Sequence, residues 1–178
     1  MKIEFVAAVD AAEILAVPVH EDRTLAGSGP ALDAKANGAL TRAMSKSRFV
    51  GKSGQTLSIA APSGVNADCV LLVGAGAADK LDDLAVEAFG GAAYAAVKLS
   101  GAEILTIDAS GLTPEQAARV GFAARLAAYR FDKYRTTQKP DKIPSITAIR
   151  VVTSDLRAAE AALEPLSAVA DGVIFARD

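Results

Sequence analysis

Cys69-Val70-Leu71-Leu72-Val73 is a continuous apolar run that ends on Gly74-Ala75-Gly76. A strand without polar alternation is one buried on both faces, as in the middle of a parallel sheet. The glycines then turn the chain out of that sheet. Downstream, a helix is expected from Leu81 to Leu99, with Leu81, Leu84, Ala88, Ala92 and Ala96 on its core face. Gly90-Gly91 lets a neighbour come close to that helix. Ile104 to Ile107 is a second short buried strand, and Ile146 to Val152 a third. Between them a helix opens on Thr113 as N-cap, Pro114 at its first position and Gln116 closing a capping box. Glu115 and Arg119 are spaced to pair along it. Three apolar strands separated by helices make a β-α-β-α-β core, whose right-handed crossovers give a parallel sheet covered on both faces. The fold class expected is therefore α/β, a three-layer sandwich.

Upstream, Ile3 to Val9 and Ile14 to Val19 read as strands around a turn at Ala11-Ala12. So short a connection suggests antiparallel or edge pairing, which extends the sheet as a mixed one. Pro30 opens a helix whose stripe is Leu32, Ala36, Leu40 and Ala43. Gly51 and Gly54 punctuate a turn, and Thr56 to Ala60 alternates as a strand before Pro62-Ser63-Gly64. Near the end, Ser154 is placed to cap a helix from Asp155, which Pro165 breaks or restarts. Beyond Pro165 the stripe is Leu166, Val169, Val173 and Ala176.

The helix from Thr113 is expected to run to about Lys133, into Tyr129-Arg130-Phe131-Asp132-Lys133-Tyr134-Arg135-Thr136. Val120, Ala124, Ala127, Phe131 and Tyr134 fall at helical intervals, and Ala118, Phe122, Leu126 and Tyr129 widen the face. Phe131 is expected to anchor the core, and Asp132 to pair with Arg135.

With 178 residues, 51% hydrophobic and 22% charged, the chain is long and apolar enough to bury a core and is not disordered. A net charge of -2 offers no attraction to nucleic acid or to anionic membranes. The basic residues between Arg130 and Lys142 are diluted by Asp132 and Asp141. No apolar stretch is long enough to span a bilayer, and Glu4, Asp10 and Glu13 interrupt any signal-peptide core. Cys69 is the single cysteine, which excludes an intrachain disulfide and suits a reducing, cytoplasmic compartment.

Candidate sites are few. Gly74-Ala-Gly-Ala-Ala-Asp79 lies between strand and helix, where a dinucleotide fingerprint places backbone amides against a pyrophosphate. Asp79, however, stands where the third glycine belongs and repels phosphate. Gly51-Lys52-Ser53 matches only the end of a phosphate-binding loop, with Lys46 where its first glycine should be. Asp82, Asp83 and Glu87 are carboxylates, yet they sit at a helix start, where acids favour the dipole. His20 is the only histidine, so multi-histidine metal sites and most triads are excluded. These residues leave no catalytic and no metal site in the chain. Gly74 and Gly76 remain the alternative cofactor-binding pair.

Tyr129-Arg130-Phe131-Asp132-Lys133-Tyr134-Arg135-Thr136, Phe49-Val50-Gly51-Lys52, Val70 to Gly76 and Ala170-Asp171-Gly172-Val173-Ile174-Phe175-Ala176-Arg177-Asp178 occur in an order that resembles the N-terminal domain of the leucyl aminopeptidase family (cytosol aminopeptidases). The resemblance implies a macro-domain-like sandwich with a mixed, mainly parallel sheet. It implies that residues 1–164 form the N-terminal aminopeptidase domain and that residues 165–178 begin a linker helix towards a catalytic domain. That catalytic half, with its Asn-Thr-Asp-Ala-Glu-Gly-Arg motif, is absent from this sequence. The chain alone is therefore expected to be non-catalytic and without a cofactor, with a structural and assembly role. Zinc or manganese, peptide substrates and a hexamer are implied for the parent, which would release N-terminal residues from peptides. An amphipathic final helix lacking its cover would also favour self-association. The alternative is a free-standing macro-like module that binds a nucleotide or ADP-ribose-like ligand at Gly74 and Gly76. Binding to DNA is a third possibility, weakened by the acidic balance.

Overall fold

Apolar content decides where each strand lies. A computed structural model of the chain describes residues 1–131, 137 and 139–177. The chain runs through β1 (Lys2–Val6), β2 (Ala12–His20), β3 (Thr24–Leu25), α1 (Gly29–Lys35), α2 (Ala39–Ser45), β4 (Thr56–Ala60) and β5 (Ala67–Gly76). It continues through α3 (Asp83–Val97), β6 (Ile104–Asp108), α4 (Pro114–Ala127), β7 (Ala148–Val152) and α5 (Leu156–Arg177). The described residues form a seven-stranded sheet of order β1-β7-β6-β2-β5-β4, with β3 added to the end of β2. From β1 to β5 every pairing along that order is parallel, while β4 and β3 run antiparallel to their neighbours. The sheet is thus mixed and mainly parallel, with helices on both faces, as the apolar runs required.

The pleat sorts β2 between two cores. Ile14 and Ala16 join Leu71, Val73, Leu105 and Ile107 under α3 and α4. Leu15, Val17 and Val19 join Val70 and Leu72 against Leu40, Met44 and Phe49 on the other face. Alternate residues of one strand fill opposite layers because successive side chains point to opposite faces.

Several local expectations are corrected. β1 and β2 do not pair: β1 is the outer strand beside β7, and β2 is central. β2 is apolar on both faces, so a central slot buries more of it than an edge pairing would. The helix after Pro30 is two helices, because Asn37 and Gly38 adopt positive φ (51° and 75°). Asp33 then accepts from the Leu40 amide at 2.8 Å, capping α2. Helix α3 buries Val86, Phe89, Ala93, Tyr94 and Val97 rather than the expected stripe, and Leu84 is 73% exposed. Helix α5 passes through Pro165 without a break, and its start is capped by Asp155, which accepts from the Ala158 amide at 3.0 Å.

The capping box of α4 is present as expected, with Gln116 N–H on the Thr113 hydroxyl and the Gln116 side chain returning to the Thr113 amide. The helix ends at Ala127, short of Lys133. Phe131 follows that end and is 40% exposed, so it is not the core anchor expected of it. Asp132, Tyr134 and Arg135 lie outside the described residues. Arg119 turns from Glu115 to the neighbouring helix and pairs with Asp83 at 2.9 Å and Glu87 at 2.6 Å.

Candidate functional site: the carboxyl end of the central strands

In an open α/β sheet, ligands bind outside the carboxyl ends of the parallel strands, where the order of connections reverses. Here that place is the end of β2, β5 and β6, marked by His20, Gly76 and Asp108. The loops Ala26–Gly29, Gly51–Gly54 and Ala109–Leu112 converge on it.

The Gly74–Gly76 turn is closed by the Gly51–Gln55 loop. The Gly74 amide donates to Gln55 O at 2.8 Å, and the Gly76 amide donates to Gly51 O at 3.0 Å. Gly54 N–H in turn reaches Gly74 O at 3.3 Å. The approach is so close that a Cβ on Gly74 would lie 2.0 Å from Lys52 O. These glycines permit backbone packing on backbone. The Gly74 and Gly76 amides that a pyrophosphate would need are already engaged, and the Gly51-Lys52-Ser53 loop serves as the lid over them.

Asp108 is the polar centre of this edge and is 1% exposed. Its Oδ2 accepts from the Ser28 amide at 2.6 Å and the Ser28 hydroxyl at 2.7 Å. Its Oδ1 accepts from the Ser110 amide at 3.0 Å and the Ser110 hydroxyl at 2.6 Å. Four donors satisfy the carboxylate and tie the loop after β3 to the loop after β6. A Cβ on Gly27 would meet Asp108 Oδ2 at 2.5 Å, so that loop is held tightly too. The sequence reasoning did not single out Asp108, Ser28 or Ser110. The available signal was an aspartate placed directly after the buried run Ile104–Ile107 and followed by Ser110-Gly111.

A cavity of about 50 Å³ lies at this edge, bounded by His20, Gly27, Ala75, Leu81, Phe89 and Leu112. Small-ligand sites run to about 300–1,000 Å³, so a nucleotide does not fit. His20 Nδ1 lies 3.3 Å from Gly76 O, on the rim.

The carboxylates that sequence alone left as metal candidates are also engaged. Asp82 caps α3, accepting from the Ala85 amide at 2.8 Å, while Asp83 and Glu87 bind Arg119. This set does not fit a catalytic metal, which needs carboxylate oxygens free to converge on it. Among the described residues no group of three or more His, Cys, Asp or Glu is placed to hold a metal ion. Cys69 is half-buried, and burial pushes its thiol up despite hydrogen bonds at Ile59 and Ser58 that pull the other way. It is a poor nucleophile there.

The model of the cytosol aminopeptidase family N-terminal domain matches residues 16–138. A probable cytosol aminopeptidase of Caulobacter vibrioides is 44% identical over 181 residues, which cover 100% of this chain and 36% of that protein. A probable cytosol aminopeptidase of Nitrobacter hamburgensis is 34% identical over 79% of this chain and 29% of its own length. The chain thus spans about a third of the length of these relatives. Among solved structures, a mutant of tomato leucine aminopeptidase superposes with a TM-score of 0.79 at 21% identity, over 98% of this chain and 37% of that one. The bottromycin maturation enzyme BotP superposes with a TM-score of 0.64 at 26% identity, over 90% of this chain and 31% of its own, and a related structure holds Mn. The match to that family model and the identity to these relatives show that the chain belongs to the cytosol aminopeptidase family, as its N-terminal domain.

Proposed function

We propose that this chain is the non-catalytic, structural N-terminal domain of a leucyl aminopeptidase-like metallopeptidase. The observation that carries the reading is the engagement of the polar groups at the strand ends. Gly74, Gly76, Asp108, Ser28 and Ser110 all bind the domain itself. Polar groups satisfied within the domain suit a scaffold, whereas a nucleotide receptor keeps some of them free for its ligand. The same observation disfavours the macro-like binding module.

In this reading the parent releases N-terminal amino acids from peptides in the cytoplasm, using zinc or manganese held outside this chain. A two-metal site of that kind would supply Lewis-acid polarisation of the scissile carbonyl and an activated water. This domain packs against the catalytic domain and supports a hexamer, with residues 165–178 leading towards the catalytic part. Val169, Val173 and Phe175 are exposed on α5, Phe175 at 85%, and offer apolar surface for that contact or for self-association.

A domain swap tests the proposal. The matched N-terminal part of the Caulobacter vibrioides relative is replaced by this chain. The chimera is expected to hydrolyse leucine p-nitroanilide with added manganese and to assemble as the unaltered relative does. A soluble chimera that neither assembles nor turns over, beside an active relative, contradicts it.

A further inference from the structure

The outer edge of the sheet carries a groove beside helix α5. Strand β1 is the last strand on its side. Lys2 N–H donates to Thr147 O at 3.3 Å, and Val6 C=O accepts from Thr153 N at 3.0 Å. A strand in a parallel pair turns alternate residues to its neighbour, so Lys2, Glu4 and Val6 face β7. The amides and carbonyls of Ile3 and Phe5 therefore point outward, and no hydrogen-bond partner reaches them among the described residues. Natural proteins usually blunt such an edge by covering or bulging it.

Helix α5 stands beside this edge without closing it. Between them lies a groove of about 520 Å³, with Ile3, Phe5 and Leu163 as its apolar part and Glu160 and Glu164 on the helix wall. Glu160 and Glu164 are one helical turn apart and exposed, and no cation pairs with either among the described residues. Glu4, by contrast, is engaged by Lys2 and Arg150. A free backbone edge, an apolar floor and an unpaired acidic wall form the three parts of a strand-addition site.

We propose that the β1–α5 groove binds an extended peptide segment that adds to β1 as a further strand, with Lys or Arg at alternate positions facing Glu160 and Glu164. The backbone supplies affinity through Ile3 and Phe5, and the glutamates select for basic side chains. A second copy of this chain suits the groove less well. Pairing β1 with β1 about a two-fold axis would set two α5 helices on the same face and bring their glutamate rows together, which like charge opposes.

The test titrates the 178-residue chain with a fluorescein-labelled acetyl-Val-Lys-Val-Lys-Val-Lys peptide, read by anisotropy and by amide hydrogen exchange. Binding is expected, with exchange at Ile3 and Phe5 slowed. Methylating alternate peptide amides should abolish it. The double variant Glu160→Lys/Glu164→Lys, on exposed helix positions, should keep the Tm and weaken the peptide about ten-fold, as two lost ion pairs imply. It should also gain affinity for the Val-Glu repeat. Three results overturn the proposal. They are no binding, binding indifferent to charge reversal or to methylation, and protection of Ile3 and Phe5 that grows with protein concentration alone, which assigns the edge to a second copy.

Discussion

The amide of Gly76 donates to the carbonyl of Gly51 at 3.0 Å, and this bond links the end of β5 to the loop that covers it. The turn that carries the sequence signature of a phosphate cradle is therefore spent on the protein's own backbone. Calorimetric titration with ADP-ribose and with NAD is expected to show no binding tighter than millimolar. A micromolar complex, lost on Gly76→Val, would restore the binding-module reading.

Gly90 and Gly91 are adjacent in α3 and are expected to respond oppositely to alanine. A Cβ on Gly90 would sit 2.3 Å from Val120 O, where α3 crosses α4, whereas a Cβ on Gly91 meets nothing within 4 Å. Gly90→Ala should destabilise by about 1–3 kcal/mol through overpacking. Gly91→Ala should stabilise by up to about 1 kcal/mol, since alanine is the better helix former. Urea denaturation of both variants checks the pair, and equal effects would mean that the helix crossing is looser than described.

Alkaline pH is expected to weaken the fold. Burial pushes the Cys69 thiol up, and burial likewise raises the Tyr94 phenol despite the nearby Arg130 charge. Both groups stay neutral in the folded chain at pH values where the unfolded chain has already ionised. Their contribution is complete below about pH 9, the ordinary range for a thiol, and is lost as pH rises through the raised values. Denaturation midpoints measured from neutral pH upward should fall, and Cys69→Ala should remove the thiol's share of the fall. A flat profile for the wild type above pH 9 would contradict this.

The strands that set the architecture were legible because β5, β6 and β7 are apolar over short, bounded runs. The capping box at Thr113 and Gln116 was legible because its bonds are local. The place of β1 was not: a short connection limits where the next strand can begin but does not require the two to pair. In α3, alanines at many positions fit several stripes, and the burial of Phe89 and Tyr94 chose among them. Phe131 fits the periodicity of α4, yet the helix stops at Ala127, before periodicity can place that ring. At the site, Gly74 and Gly76 announced a turn, but their hydrogen-bond partners come from a loop some twenty residues earlier, as is usual for a long-range lid. Asp108 was hidden for the same reason, since Ser28 is remote in the sequence.

A scaffold domain has no peptidase chemistry of its own. The most direct measurement is leucine p-nitroanilide hydrolysis by the purified 178-residue chain in excess manganese, and again in excess zinc, followed across a size-exclusion profile. The expected result is turnover no higher than buffer in every fraction. Hydrolysis that follows the protein peak and disappears with chelator would contradict it.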